Sequence, residues 1–172
     1  AERIARAAGA QAADVTLNRR VQQVVFAAIK SGGTPSEVRR AFDAFVATLE
    51  PDDQQHTIVA ASRAEMSSLL EPWFRFFLTY DPGTALARVR CPVLVLNGSM
   101  DLQVDPDLNL PAIRAALDKG GNEQYEIHRL PGLNHLFQQC KTGLPAEYRQ
   151  IEQTFDRRTL DLISQWVKPG QD

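Results

Sequence analysis

The sequence has only two cysteines, Cys91 and Cys140, far apart and outside any C-x-x-C pattern. That excludes a disulfide framework and a paired-thiolate redox motif. Its three histidines, His56, His128 and His135, are scattered and share no metal-ligand spacing with the cysteines, so neither a metal nor a cofactor site is expected. Charge of one sign is also missing: 19 Lys and Arg stand against 21 Asp and Glu, a formal net charge of −2. This balance carries no footprint for nucleic acid or an anionic membrane surface. No apolar run approaches the roughly 18 residues of a spanning helix, and no signal-peptide pattern is present. What remains is 44% hydrophobic and 23% charged over 172 residues, the proportions of a folded domain or of one domain with a small appendage.

The first eighty residues read as helical. The sequence opens at Ala1 inside a helical stretch reaching Ala8, a start that fits excision from a longer parent. Between Asp14 and Lys30, Val21, Val24, Val25 and Ile29 recur at three- and four-residue spacing, one face of a helix that Ser31-Gly32-Gly33 stops. Thr34-Pro35-Ser36-Glu37 has capping-box spacing with proline at the first helical position. The helix it opens carries Val38, Phe42, Phe45, Val46 and Leu49 on one side. After the break at Pro51-Asp52-Asp53 a third helix is expected to about Leu70. A short aromatic segment follows, Trp73, Phe74, Phe76, Phe77 and Tyr80, ended by Asp81-Pro82-Gly83. Core packing is the expectation for these aromatics.

The pattern changes after Pro92. Val93-Leu94-Val95-Leu96 is a short, partly β-branched apolar run, as in a parallel strand buried on both faces. A helix from about Asn109 to Lys119, with Leu110, Ile113 and Leu117 inward, ends at Gly120-Gly121. A second strand spans about Gln124 to Leu130, and an amphipathic helix with Leu160, Ile163 and Val167 aligned closes the chain. The fold class is therefore α/β, with a helical segment 1–83 and a βαβα part 84–172. Two strands leave unpaired edges and an uncovered core, so a missing N-terminal half or a second copy, as in a homodimer, is expected to complete the sheet.

Two loops at strand ends stand out as sites of chemistry, Gly98-Ser99-Met100-Asp101 and Pro131-Gly132-Leu133-Asn134-His135. Open α/β sheets form their sites beyond the carboxyl ends of strands, which would bring Asp101 and His135 to one sheet edge. An aspartate there orients an imidazole and stabilises its protonated form. Taken alone, Asp101 has a second reading as the cap of its own turn. His135 taken alone reads as an ordinary loop residue. His56 and His128 read as structural or exposed, and Cys140 as a half-buried thiol.

The stretch Cys91 to Asp101, CPVLVLNGSMD, resembles the strand and acid loop of bacterial α/β-hydrolases, and Leu130 to Phe137, LPGLNHLF, resembles their histidine loop. Pro72 to Pro82, PWFRFFLTYDP, looks like the segment returning from cap to core in a serine-esterase-like subgroup. The resemblance implies the C-terminal portion of an α/β-hydrolase sheet with residues 1–83 as a helical cap. It implies an Asp101–His135 catalytic pair acting on a small-molecule ester or related acyl substrate. The chain departs from the family in two respects: none of its seven serines lies in a G-x-S-x-G elbow, Asn97 and Asp101 standing where glycines would flank Ser99, and the oxyanion hole, which the family keeps upstream near the nucleophile, is missing too. An aspartate nucleophile, as in dehalogenases and epoxide hydrolases, would use the same acid and histidine. The competing expectation is a non-catalytic interaction or assembly module built on a hydrolase remnant.

Overall fold

Side-chain caps begin several of the helices. The computed structural model describes residues 2–168, so the start at Ala1 lies outside it. Helices α1 (Glu2–Ala7), α2 (Ala12–Lys30), α3 (Pro35–Val46), α4 (Pro51–Gln54), α5 (Thr57–Leu69) and α6 (Pro72–Thr79) come first. Thr34 caps α3 through the complete capping box with Glu37. The expected break at Pro51-Asp52-Asp53 is itself the short helix α4, and the expected third helix is α5, which follows His56, whose Nδ1 accepts the Ile58 amide and caps it. An imidazole nitrogen there occupies the place of the usual hydroxyl or carboxylate acceptor.

The chain separates into two compact units, residues 4–80 and 81–168. In the helical unit the stripes of α2 and α3 meet: Val21, Val25, Ile29, Val38 and Phe42 are almost wholly buried, with Val59 and Met66 of α5 closing the cluster. The aromatic segment departs from the core packing expected of it. Helix α6 has room for one inward face, and Phe74 and Leu78, four residues apart, take it, Phe74 lying 5.9 Å from Phe26. Trp73, Phe76, Phe77 and Tyr80 fall on the other sides and are 49–68% exposed.

The strand-bearing unit opens with a short helix, α7 (Pro82–Leu86), where the sequence was read as a plain stop. Asp81 accepts the Gly83 amide and Pro82 takes the first helical position, so the same Asp-Pro pair that ends α6 starts α7. Strand β1 (Val93–Gly98), helix α8 (Pro106–Gly120), strand β2 (Tyr125–Leu130) and helix α9 (Arg157–Val167) follow, with a 3-10 segment, Pro145–Gln150, before α9. β1 and β2 pair in parallel, Val93 opposite Tyr125 and Gly98 opposite Leu130. Asn122, buried beyond the C-terminus of α8, pins the starts of both strands: its Nδ2 donates to Val89 O and Cys91 O, and its Oδ1 accepts the Gln124 amide.

Burial of β1 also differs from expectation. Val93 to Leu96 are only half-buried, and full burial begins at Asn97 and Gly98. Among the described residues the sheet has two strands, so β1 has one paired edge, and α8 covers it with Leu117 as its one fully buried leucine. Leu110 and Ile113 are half-buried, while Leu160 and Val167 of α9 are exposed. No helix among the described residues is long and apolar enough to cross a membrane.

Candidate functional site

Parallel pairing places the ends of β1 and β2 side by side, and the loops that leave them are stitched together. Ser99 N donates to Leu130 O at 2.8 Å, Met100 N to Leu133 O at 2.9 Å, and Gly132 N to Ser99 Oγ at 2.9 Å. Gly98 makes the approach sterically feasible: a Cβ there would lie 2.2 Å from Leu133 O and 2.6 Å from Asn134 O. Glycine is the residue that lets two backbones come this close.

Asp101 and His135 meet across this seam. His135 Nδ1 lies 2.9 Å from Asp101 Oδ2, with Asp101 3% exposed and the His135 side chain 37% exposed. A carboxylate only accepts, so Nδ1 is the protonated nitrogen. Nε2 then carries the lone pair, and it has no hydrogen-bond partner among the described residues. Asp101 divides its two oxygens between its own turn and the histidine. Oδ1 accepts the Gln103 and Val104 amides, both at 2.9 Å, and so caps the local turn. Oδ2 accepts His135 Nδ1 and, at 3.1 Å, Asn97 Nδ2. Four donors around one buried carboxylate compensate its charge without a cation.

The histidine loop is built around Asn134, which is fully buried. Its Oδ1 accepts the Leu136 and Gln138 amides, its Nδ2 donates to Gln138 Oε1, and Leu133 bridges to Gln139 across the turn. The turn forces Phe137 into the left-handed region, φ 55°, a conformation uncommon outside glycine and asparagine. Phe137 is held there by stacking on Phe155, centroids 5.3 Å apart, and by the Asp156 amide donating to its carbonyl. Backbone strain of this kind concentrates where a side chain must be aimed.

Asn97 and Asn134 were not singled out in the sequence, where each reads as a turn-forming residue beside glycine or histidine. The signal that finds them is burial of an amide at a strand end, which only the fold supplies. Ser99 spends its hydroxyl on the Gly132 amide. The Cys140 thiol donates to Gly132 O, and burial, with Glu147 nearby, pushes its pKa up, so it stays protonated. His128 pairs with Glu126 on the exposed face of β2, and His56 reaches Asp14 at 3.3 Å besides capping α5. A cleft of about 320 Å³ between α3 and α5, lined by Arg39, Asp43, Arg63 and Met66 among others, contains neither Asp101 nor His135. Among the described residues no group of three or more His, Cys, Asp or Glu side chains is arranged to hold a metal ion.

Comparison of the chain with protein-family models, with curated proteins and with solved structures finds no match.

Proposed function

We propose that these residues are the C-terminal part of a serine hydrolase acting on esters or related acyl compounds, supplying the acid and histidine of its triad but not the nucleophile. One observation carries the reading: His135 Nδ1 bonds to a buried carboxylate while Nε2 is left with its lone pair unengaged. In this role Asp101 holds the imidazole in the productive tautomer and stays ionised as the imidazolium forms. Nε2 takes the proton from an attacking hydroxyl and returns it to the leaving group. In the same reading β1, α8, β2 and α9 are the last part of an α/β-hydrolase sheet, and residues 1–83 are its helical cap. The nucleophile and oxyanion donors then lie upstream of these residues, where the family keeps them.

The test is hydrolysis of a short-chain p-nitrophenyl ester by the full reading frame that encodes these residues and by the 172-residue chain, each with and without His135→Ala. The full frame is expected to turn over and to lose on the order of 10⁴-fold or more in kcat with the substitution. The 172-residue chain is expected to show no turnover above its His135→Ala variant. Full-frame turnover indifferent to His135 overturns the acid–base role. His135-dependent turnover by the chain alone overturns the assignment of the nucleophile to an upstream segment.

The half-exposed apolar side chains of β1 and the exposed aromatics of α6 favour a second reading, a non-catalytic assembly module. A reading frame with no G-x-S-x-G between a strand and a helix upstream of residue 1 would select it.

A further inference from the structure

We propose that Asn97 is the positioning residue of the acid–histidine pair, acting through Asp101. The inference rests on the acid–histidine reading above and adds a residue to it. Asn97 is the penultimate residue of β1, is 7% exposed, and donates from one nitrogen to two acceptors: Asp101 Oδ2 at 3.1 Å and Val104 O at 3.3 Å. Which end of the amide faces them is chemically forced, because a carboxylate and a carbonyl both only accept.

The geometry assigns a distinct task to each oxygen of Asp101. The two bonds to Oδ1 come from Gln103 and Val104, residues of the acid's own turn. They fix the carboxylate relative to that turn and do nothing to fix the turn relative to the sheet. That second constraint comes from the Asp101 amide, which donates to Gly98 O at 3.2 Å, and from the Asn97 side chain. The Asn97 side-chain amide spans from the strand to both ends of the turn, the carboxylate at residue 101 and the carbonyl at residue 104, so the turn and its carboxylate move with β1. His135 is fixed to the same strand end through the Met100–Leu133 and Ser99–Leu130 backbone bonds. Asn97 therefore registers the acid against the histidine. Its second effect is on the very oxygen that His135 reaches: it gives that oxygen a second donor within a carboxylate almost excluded from water. An aliphatic side chain at residue 97 would leave Oδ2 with the imidazole as its single donor and remove the side-chain tie between the turn and β1.

The experiment is ¹⁵N-histidine NMR on the chain, comparing the parent sequence with Asn97→Leu, Asn97→Ser, Asp101→Asn and Ser99→Ala. Leucine keeps the four-atom branched shape of the asparagine side chain without donating, at the expense of greater bulk. Serine is too short to bridge both acceptors and too small to clash, so it carries the test if the leucine variant does not fold. The parent is expected to show His135 protonated on Nδ1, with a proton slow to exchange with water. Both Asn97 variants are expected to lose that signal or to exchange it at least about tenfold faster, the loss of one hydrogen bond to a charged group. Asp101→Asn is expected to abolish it. Ser99→Ala removes a different bond between the same two loops and is expected to leave it intact. A parent chain without an Nδ1 proton overturns the acid–histidine reading and this inference with it. A parent signal that survives both Asn97 variants overturns the role of Asn97 alone, as does a signal lost equally in Ser99→Ala, which would mean that any loosening of the seam suffices.

Discussion

The helical unit and the strand-bearing unit bury opposite kinds of side chain. In residues 4–80 the buried groups are apolar, Val15, Leu17, Val21, Val25, Ile29, Val38, Phe42, Val46, Leu49, Val59 and Met66. In residues 81–168 the buried apolar side chains named for the core shrink to Ala116, Leu117 and Leu133, while Asn97, Asp101, Asn122, Asn134, Gln138, Asp156 and Thr159 are buried and each takes part in side-chain hydrogen bonds. The first unit is held by area removed from water, which is non-directional and forgiving of small displacements. The second is held by hydrogen bonds whose distances and angles must be kept, and whose loss strands a desolvated group. A site that needs a carboxylate and an imidazole at fixed separation therefore falls where the directional interactions are concentrated.

The largest expected effect breaks the first half of this comparison. Phe42→Ala empties the centre of the helical core, where Phe42 is 1% exposed, and should cost about 3–5 kcal/mol of stability. Denaturant titration followed by circular dichroism reads it, and a loss below about 1 kcal/mol would show that the cluster repacks around the hole.

Gly98→Ala addresses the second unit. One methyl group driven into Leu133 O and Asn134 O must push the two loops apart, at about 1–3 kcal/mol, the usual range for overpacking. More telling than the stability change is where it acts. Amide exchange should speed up at Ser99, Met100 and Gly132 and leave α2 and α3 unchanged. Equal acceleration in both units would contradict the separation into two kinds of core.

The smallest effect concerns the loop after the histidine turn. Glu147 accepts the Lys141, Thr142 and Gly143 amides and the Thr142 hydroxyl, which together bring its pKa down from an ordinary 4.5 to about 2. The folded carboxyl is the stronger acid, so its contribution is fully present above about pH 4.5 and fades as the pH falls toward about 2. Protection of the Lys141 and Thr142 amides should decline over that window in the parent and be low and flat in Glu147→Gln. The same pH dependence in both would assign the titration to another group.

Much of the local structure was legible in the sequence because it depends on neighbours in the chain. Thr34-Pro35-Ser36-Glu37 begins α3 at the expected place because the capping box closes within four residues. Gly121 ends α8 in the left-handed conformation, φ 74°, because only a residue free of Cβ strain adopts it readily. Asp101 and His135 could be nominated because each follows a strand. The failures share a cause. The burial of β1, the outward aromatics of α6 and the exposure of Leu160 and Val167 depend on what packs against each element, which no local pattern encodes. His56 reads as structural or exposed, and the role it takes, capping α5, is structural, although histidine is an uncommon N-cap.

By itself the sequence determined where α3 starts and α8 stops, and which two side chains follow the ends of the two strands. Tertiary structure alone decided that Asp101 and His135 are 2.9 Å apart, that the acid divides its oxygens between its own turn and the histidine, and that Asn97 and Asn134 are buried where their amides hold both loops. The physical reason is range. Capping and periodicity act over a few residues, whereas the partnership of Asp101 and His135 spans 34 positions and exists only once two strands have paired in register.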